Sequence, residues 1–285
     1  MAAPTDRPPV GTPHTGHPRG SAVTTTADRV RQVGVTAAYL FCLAGSMIGV
    51  GVFGGTPIAE AAGGVLTADA TPLAPASEAF SVWTPIYLGL AAYTLWQWSP
   101  RRGGDARQRR VGWWVALSMV LNAAWILVVQ AGWIWLSVGV IVALLATLAR
   151  IFVALVRTRP TGTTEAIVLD GTIGLYLGWV CVATCANIAS ALVAAEFGGL
   201  GAPPAVWAGG VLVAVAAVGV ALAVYGRGRL AVAATLVWGL AWIAVSRTTG
   251  ELVSVPTAVV AAAAAVVVAG VTLLVRWRAS RAVGA

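Results

Sequence analysis

Lysine is absent from this chain, and charged residues of either sign are scarce. Only 10% of the 285 residues are charged and 59% are hydrophobic, whereas a soluble domain carries about 25% charged residues. So few charged side chains cannot cover a water-facing surface, which excludes a soluble enzyme. An intrinsically disordered chain is excluded as well, because disorder needs low hydrophobicity and high charge.

The basic residues are all arginine, and they give the chain a net charge of +8. A nucleic-acid-binding protein gathers such charge in one patch or stripe. Here the arginines stand in small groups between apolar runs, which is typical of membrane topology. The pattern therefore predicts a lipid bilayer as partner and no nucleic acid.

Cysteine is also rare, and its three positions argue against a disulfide framework. Cys42, Cys181 and Cys185 all fall inside apolar runs. The four-residue spacing of Cys181 and Cys185 raises a metal pair as one interpretation. They have no histidine or carboxylate neighbours at helical spacing, so small core residues are the favoured interpretation and no metal site is predicted.

Long apolar runs dominate what is present. A bilayer core about 30 Å thick needs about 20 apolar residues in a spanning helix, and runs of this kind occur eight times. Alternating strands of a membrane barrel are absent from the pattern. The sequence predicts an all-α integral membrane protein with about eight transmembrane helices. The predicted spans are approximately Val33–Phe53, Ala79–Trp98, Val111–Gln130, Trp133–Val156, Ala166–Ala194, Ala205–Tyr225, Leu230–Ser246 and Thr257–Val275.

Arginines alternate from one predicted connection to the next. The two tails and every second connection hold all of them except Arg247. By the positive-inside rule this distribution predicts a multi-pass protein with both termini in the cytoplasm. The connection from Arg101 to Arg110 is also suited to contact anionic lipid.

The predicted tails are short of apolar residues. Residues 1–32 are rich in Pro, Thr and Gly and predict a disordered cytoplasmic tail, and residues 276–285 predict a short basic tail. A secretory signal is the rival interpretation of the first apolar run, because Ala59-Glu60-Ala61 resembles a cleavage site. The preceding tail and the run itself are both too long for that interpretation.

Asp170 is the single ionisable residue well inside a predicted span. It lies either at the cytoplasmic interface near its helix N-terminus, which is the favoured interpretation, or in a buried functional role. The sequence holds no acid–base pair or Ser–His–Asp set around it. It therefore predicts no enzyme.

Neutral polar and aromatic residues share helix faces in the second, third and fifth spans. In the third span, Ser118, Asn122 and Trp125 lie on one face, and in the fifth span Trp179 and Asn187 do so. Such faces either join helices by hydrogen bonds or line a pocket for a flat hydrophobic ligand.

Two further patterns stay unassigned. Trp238 and Trp242 lie on one face of the seventh span and either pack against the bundle or extend the pocket. Gly174-x-x-x-Gly178 matches a small-residue packing motif, but a chain with 33 glycines produces such matches by chance.

Three motifs on the polar and aromatic faces resemble the TspO family, the tryptophan-rich sensory proteins related to the mitochondrial translocator protein (peripheral benzodiazepine receptor). Their order, and their places in the second, third and fifth spans, also resemble the five-helix layout of that family. The motifs read Trp83-Thr84-x-x-Tyr87, Leu121-Asn122-x-x-Trp125 and Tyr176-Leu177-x-Trp179-Val180-x-x-Ala183-Thr184-x-x-Asn187.

The resemblance implies a TspO-like five-helix bundle over residues 33–194 and three additional transmembrane helices over residues 195–275. The family binds porphyrins and other flat hydrophobic molecules within its bundle, so a porphyrin is implied as a ligand and no other cofactor. The first loop, residues 54–78, has the length of the family's lid but contains no tryptophan. The implied ligand-binding residues are Trp83, Tyr87, Asn122, Trp125, Tyr176, Trp179, Thr184 and Asn187.

The sequence thus favours an integral membrane receptor or sensor for a flat hydrophobic small molecule, with a homodimer left open. The alternative is a small-solute permease that uses all eight helices, which the scarcity of polar residues in the sixth and eighth spans disfavours. A porphyrin-degrading enzyme, an activity proposed for the family, finds no acid–base pair or metal site in the sequence.

Overall fold

The computed structural model describes residues 23–52, 61–64, 66–100 and 102–284. These residues form eight α-helices and no β-strand, which confirms the predicted all-α membrane protein. The helices are α1 (Thr26–Gly49), α2 (Trp83–Trp96), α3 (Ala106–Gln130), α4 (Ile134–Val156), α5 (Thr163–Ala194), α6 (Pro204–Tyr225), α7 (Leu230–Thr249) and α8 (Val255–Gly284).

Seven of the eight helices are long and apolar enough to cross a membrane, and α2 is the shorter one. It has 14 residues and directly continues the six-residue 3-10 helix Ser77–Val82. Pro85 stands in the first turn of α2, where the missing backbone N–H costs no helical hydrogen bond. The second predicted span is therefore a 3-10 helix followed by an α-helix.

Helix α1 begins at Thr26, before the predicted start at Val33. Its N-terminus is a capping box, in which Thr25 Oγ1 accepts from the Asp28 backbone N–H and the Asp28 carboxylate accepts from the Thr25 backbone N–H. The prediction of a disordered tail to residue 32 is wrong for residues 26–32, because the cap outweighs their polar character. Residues 1–22, with both histidines, and residues 53–60, with most of the candidate cleavage site, lie outside the described residues.

Helix α8 also exceeds its prediction, because it continues through Gly284. The segment predicted as a basic tail from residue 276 is helical, and the guanidinium of Arg281 lies 3.8 Å from the ring centroid of Trp277. Helix α7 likewise passes its predicted end at Ser246 and ends at Thr249. Arg247, predicted to lie in a connection, is therefore a helical residue and is fully buried.

Helix α5 starts with one α-turn and a π-helical turn, Ala166–Gly171, before regular α-helix resumes at Thr172. Asp170 lies in the π-turn, and its carboxylate pairs with Arg107, at 2.7 Å, and with Arg229. Arg107 also pairs with Glu165 at 2.9 Å. Asp170 thus lies near its helix N-terminus, as the favoured interpretation has it, and its partly buried carboxylate belongs at the same time to an ion-pair network.

The helices pack in a continuous series. Helix α3 packs on α1 and α4, α5 packs on α4 and α7, and α8 packs on α7 and α6. Gly178 allows the close approach of α5 and α7, because a Cβ there would collide with the carbonyl oxygen of Val232. Gly174, where a Cβ would lie 2.8 Å from the Cβ of Ala231, belongs to the same contact. The Gly174-x-x-x-Gly178 match is therefore a true packing motif.

The arginine-rich connections gather at one end of the bundle. Arg109 joins the start of α3 to Asp28 on α1 at 2.7 Å, and Arg229 joins the start of α7 to Asp170 on α5. We call this end the basic end. The opposite end carries the first loop, of which residues 66–76 precede the 3-10 helix Ser77–Val82, and we call it the lid end.

Candidate functional site

Helices α2 and α5 bring an aromatic cluster together in the lid-end half of the bundle. Trp83 stacks on Tyr87, with ring centroids 5.3 Å apart, and meets the rings of Tyr176 and Trp179 edge-on at 5.8 and 6.2 Å. Phe80, one turn before Trp83, meets Trp179 edge-on at 5.6 Å. Edge-to-face and offset-stacked pairs are the favoured arrangements of aromatic rings. The cluster therefore holds two helices and the end of the first loop together.

Asn122 joins three helices by its amide. Its Nδ2 donates to the Tyr87 hydroxyl at 3.0 Å and to Cys42 Sγ at 3.4 Å. The side chain is 1% exposed. Its carbonyl oxygen accepts no hydrogen bond from the described residues, so this acceptor is available to a bound molecule.

Asn187 joins α5 to α3 and α4. Its Oδ1 accepts from the indole N–H of Trp125 at 2.6 Å, and its Nδ2 donates to Ser137 Oγ at 2.9 Å. Both asparagines are buried, where an unpaired amide is costly, so these bonds specify how α3, α4 and α5 meet.

A cavity of about 40 Å³ lies between the two asparagines. It has room for about one water molecule, whose share of liquid volume is about 30 Å³. Helices α3, α4 and α5 form its walls, and the first loop closes it at the lid end. Its lining residues are Leu66, Ala74, Pro75, Phe80, Trp83, Asn122, Trp125, Ile141, Leu144, Trp179, Val180, Ala183, Ala186, Asn187 and Ser190.

Trp179 contributes an unpaired donor to this cavity lining. The residue is 1% exposed, and its indole N–H has no acceptor among the described residues. A buried donor without a partner costs about 1–3 kcal/mol. The cavity is thus lined by an indole donor and an asparagine acceptor that make no hydrogen bond to the described residues.

A second space adjoins the cavity. A groove of about 420 Å³ lies between the lid-end halves of α1 and α2, where Met47 and Tyr87 line it. Phe80, Trp83 and Trp125 line both the groove and the cavity. These three aromatic side chains are therefore the partition between the two spaces.

The structure brings five of the eight residues implied by the resemblance to the cavity: Trp83, Asn122, Trp125, Trp179 and Asn187. Tyr87 lines the adjoining groove instead. Tyr176 lies behind Trp83 and donates to the Ser118 carbonyl oxygen at 3.2 Å. Thr184 lines neither space, because its hydroxyl donates to the Val180 carbonyl oxygen of its own helix at 2.7 Å.

Several lining residues escaped the sequence reasoning. Ile141 and Leu144 of α4 are apolar residues in an apolar run, and nothing in the sequence separates them from residues that face lipid. Ser137, the partner of Asn187, carries only a weak signal as a hydroxyl near the start of α4. Phe80 could have been found from its position one turn before Trp83.

The two unassigned tryptophans of α7 contact the first loop and the 3-10 helix. The indole N–H of Trp238 donates to the Ala79 carbonyl oxygen at 3.0 Å, and the carbonyl oxygen of Trp242 accepts from the Ala76 backbone N–H at 3.3 Å. Of their two interpretations, packing against the bundle is therefore the observed one. Neither tryptophan is among the cavity-lining residues.

The polar groups that line the cavity are neutral. No group of three or more His, Cys, Asp or Glu side chains that could hold a metal ion occurs among the described residues. The polar groups lining the cavity are the amides of Asn122 and Asn187, the indoles and Ser190. These groups suit hydrogen bonding and stacking.

Comparison with known sequences places the chain among TspO-type membrane proteins. A family model described as TSPO-like protein matches residues 33–275. The matched range includes α6, α7 and α8 as far as residue 275. No curated protein and no solved structure matches the chain. Because the family model covers most of its length, the chain belongs to the TSPO-like protein family.

Proposed function

We propose that this membrane protein is a receptor that binds a flat hydrophobic small molecule, with a porphyrin as the first candidate, in the cavity between the two asparagines. The observation that carries the proposal is the unpaired indole N–H of Trp179 in an aromatic-lined cavity. Aromatic faces stack on a flat ring, and a few convergent polar groups fix its orientation.

Ligand binding requires the cavity to expand. Small-molecule pockets enclose about 300–1,000 Å³, far above the 40 Å³ found here. Rotation of the partition formed by Phe80, Trp83 and Trp125 would join the cavity to the neighbouring groove of about 420 Å³. The joined space falls within the range of ligand pockets.

The polar groups favour a ligand with both an acceptor and a donor. An acceptor on the ligand would satisfy the N–H of Trp179, and a donor on the ligand would bond to the carbonyl oxygen of Asn122, which also lines the cavity. A neutral hydrogen bond contributes about 1 kcal/mol, and an unsatisfied buried group costs more. Ligand binding would therefore remove a cost that the ligand-free protein carries.

The test is a titration of the purified protein in detergent with protoporphyrin IX, followed by tryptophan quenching and by the fluorescence of the porphyrin itself. We expect saturable micromolar binding. Trp179→Phe keeps an aromatic face but removes the pyrrole part of the indole with its N–H donor, and about 1 kcal/mol for the lost bond corresponds to about a five-fold weaker Kd. Trp135→Phe is the control, because that indole is 59% exposed on α4 and is not among the cavity-lining residues.

The porphyrin signal matters because it does not depend on how many tryptophans a variant contains. Equal affinity of Trp179→Phe and the wild type would move the binding site away from this cavity. Absence of saturable binding to the wild type would overturn the porphyrin as ligand.

The permease alternative receives less support. Helices α6 and α8 present almost only Ala, Val, Leu and Gly to their neighbours. The space found between α6, α7 and α8 is too narrow to hold a solute. The neutral polar lining of the cavity likewise supports a binding protein over an enzyme.

We further infer that the basic end faces the cytoplasm, so that both termini are cytoplasmic and the lid end faces the opposite side. The support is the gathering of the arginine-rich connections at one end, which is the distribution that the positive-inside rule describes.

A further inference from the structure

A buried arginine of α7 binds the first loop. The Arg247 side chain has no exposed surface. Its guanidinium donates to the carbonyl oxygen of Thr71 at 3.1 Å and to that of Ala68 at 2.6 Å. The carboxylate of Asp69 lies 3.6 Å from the same guanidinium.

Further contacts tie the same segment to the lid end of α7. The Asp69 carboxylate accepts from the Leu252 backbone N–H, just after α7, at 3.2 Å. The bonds of Trp238 and Trp242 to Ala79 and Ala76 continue the contact along the chain toward α2. Residues 68–79 are therefore held at several points by α7 and the residues that follow it.

The loop segment that Arg247 binds, residues 66–76, also closes the cavity at the lid end; we call this segment the roof of the cavity. Leu66, Ala74 and Pro75 line the cavity, and Ala68 and Thr71, which bind Arg247, lie between them along the chain. One face of the loop therefore closes the cavity while its backbone carbonyls bind α7. Moving the roof requires the guanidinium to give up these partners.

We propose that Arg247 is the positioning residue that holds residues 66–76 over the cavity, so that α7 sets the rate at which a hydrophobic ligand enters and leaves. The ligand part of this inference rests on the proposed function. A buried charge is costly unless it is hydrogen-bonded. The loop carbonyls supply those bonds, so the closed loop and the buried guanidinium stabilise each other.

The first arm of the test measures the loop without any ligand. Ala74, which is 4% exposed, is changed to cysteine in a background where Cys42, Cys181 and Cys185 are alanine, and its alkylation by a water-soluble maleimide is timed. Arg247→Met should raise the alkylation rate at least about ten-fold, the equivalent of about 1.4 kcal/mol. Arg278→Met, at an exposed arginine of α8, should leave the rate unchanged.

Two further variants keep the test decisive if Arg247→Met folds poorly. Arg247→Lys keeps the charge with fewer donors in a fixed geometry, so it should give an intermediate alkylation rate. Trp238→Phe keeps an aromatic ring but removes the pyrrole part of the indole and, with it, the bond to the Ala79 carbonyl oxygen, so it should raise the rate slightly. Wild-type rates in both folded variants would overturn the role of α7.

The second arm measures protoporphyrin association and dissociation by stopped flow. Arg247→Met should raise both rate constants several-fold and change Kd less, which a merely destabilising substitution would not do. If alkylation is faster in Arg247→Met but no variant binds porphyrin, the role of Arg247 in holding the loop is supported and the proposed ligand is refuted. If the wild type binds protoporphyrin and Arg247→Met has the same alkylation and association rates as the wild type, the role of Arg247 is refuted and the proposed receptor function is not.

Discussion

Two buried asparagines each join three helices of this bundle by hydrogen bonds. Asn122 bonds to side chains of α1 and α2, and Asn187 bonds to side chains of α3 and α4. In a membrane, helices gain little from burying apolar surface against one another, since lipid is equally apolar. Single amides therefore have a large share in specifying which helices meet and in what register.

Substitution of Asn187 should measurably destabilise the protein. Asn187→Leu leaves the indole N–H of Trp125 and the hydroxyl of Ser137 without this partner. We expect a loss of about 1–3 kcal/mol, which corresponds to a melting temperature lower by roughly 2–10 °C in detergent.

The control is Thr248→Val, because that exposed hydroxyl bonds only to carbonyls of its own helix. The double variant Asn187→Leu, Trp125→Phe should lose less than the sum of the single losses, since both single changes break the same bond. Strict additivity would show that the 2.6 Å contact carries no coupling energy.

At the scale of elements, helix bounds and helix contacts follow different rules. The lengths of α4 to α6 follow from apolar runs between breakers and were predicted closely, whereas α3 begins at Ala106, five residues before its predicted start at Val111. Polar residues that precede an apolar run can either join the helix or stay outside it. A capping box includes the polar residues before Val33 in α1, whereas α7 begins directly after Arg229. Contacts between helices depend on which face holds small residues, which a single sequence indicates only weakly.

The contact between α5 and α7 makes a sharp prediction. Gly178→Ala places a Cβ against the backbone of α7 at Val232 and should lower both the melting temperature and the yield of folded protein. Gly139→Ala on α4 is the matched control, because no atom lies within 4 Å of its Cβ position.

The control should be neutral or stabilising, since alanine is favoured over glycine in a helix by about 1 kcal/mol. The comparison is made by thermal unfolding and by size-exclusion chromatography. Equal stability of the two variants would contradict the close packing of α5 on α7.

The two ends of the molecule are held together by different kinds of interaction. Its basic end is held by ion pairs that span α1, α3, α5 and α7, whereas its lid end is held by backbone carbonyls, indoles and Arg247. The cavity lies beneath the lid end, away from the ion-pair network. Opening the roof would therefore leave the ion pairs intact.

The inferred orientation gives a prediction at this scale. A fluorescent protein fused after residue 285 should fluoresce in bacterial cells, and alkaline phosphatase fused at Phe197, between α5 and α6, should be active. Exchanging the two reporters should abolish both signals, because each reporter works on one side of the membrane. The opposite result would reverse the orientation.

The apolar runs and the arginine pattern were enough to establish a membrane protein of eight helices, because helix length and bilayer thickness are local constraints. The motif residues of α2, α3 and α5 could be placed on common faces, since helical periodicity is also local. The partners of those residues could not. Arg247 was predicted to lie in a connection, Ser137 had no predicted role, and residues 54–78 were predicted only as a loop with the length of the family's lid. Their roles come from contacts with residues 50 to 179 positions away in the chain, and a single sequence does not encode such distances in any local pattern.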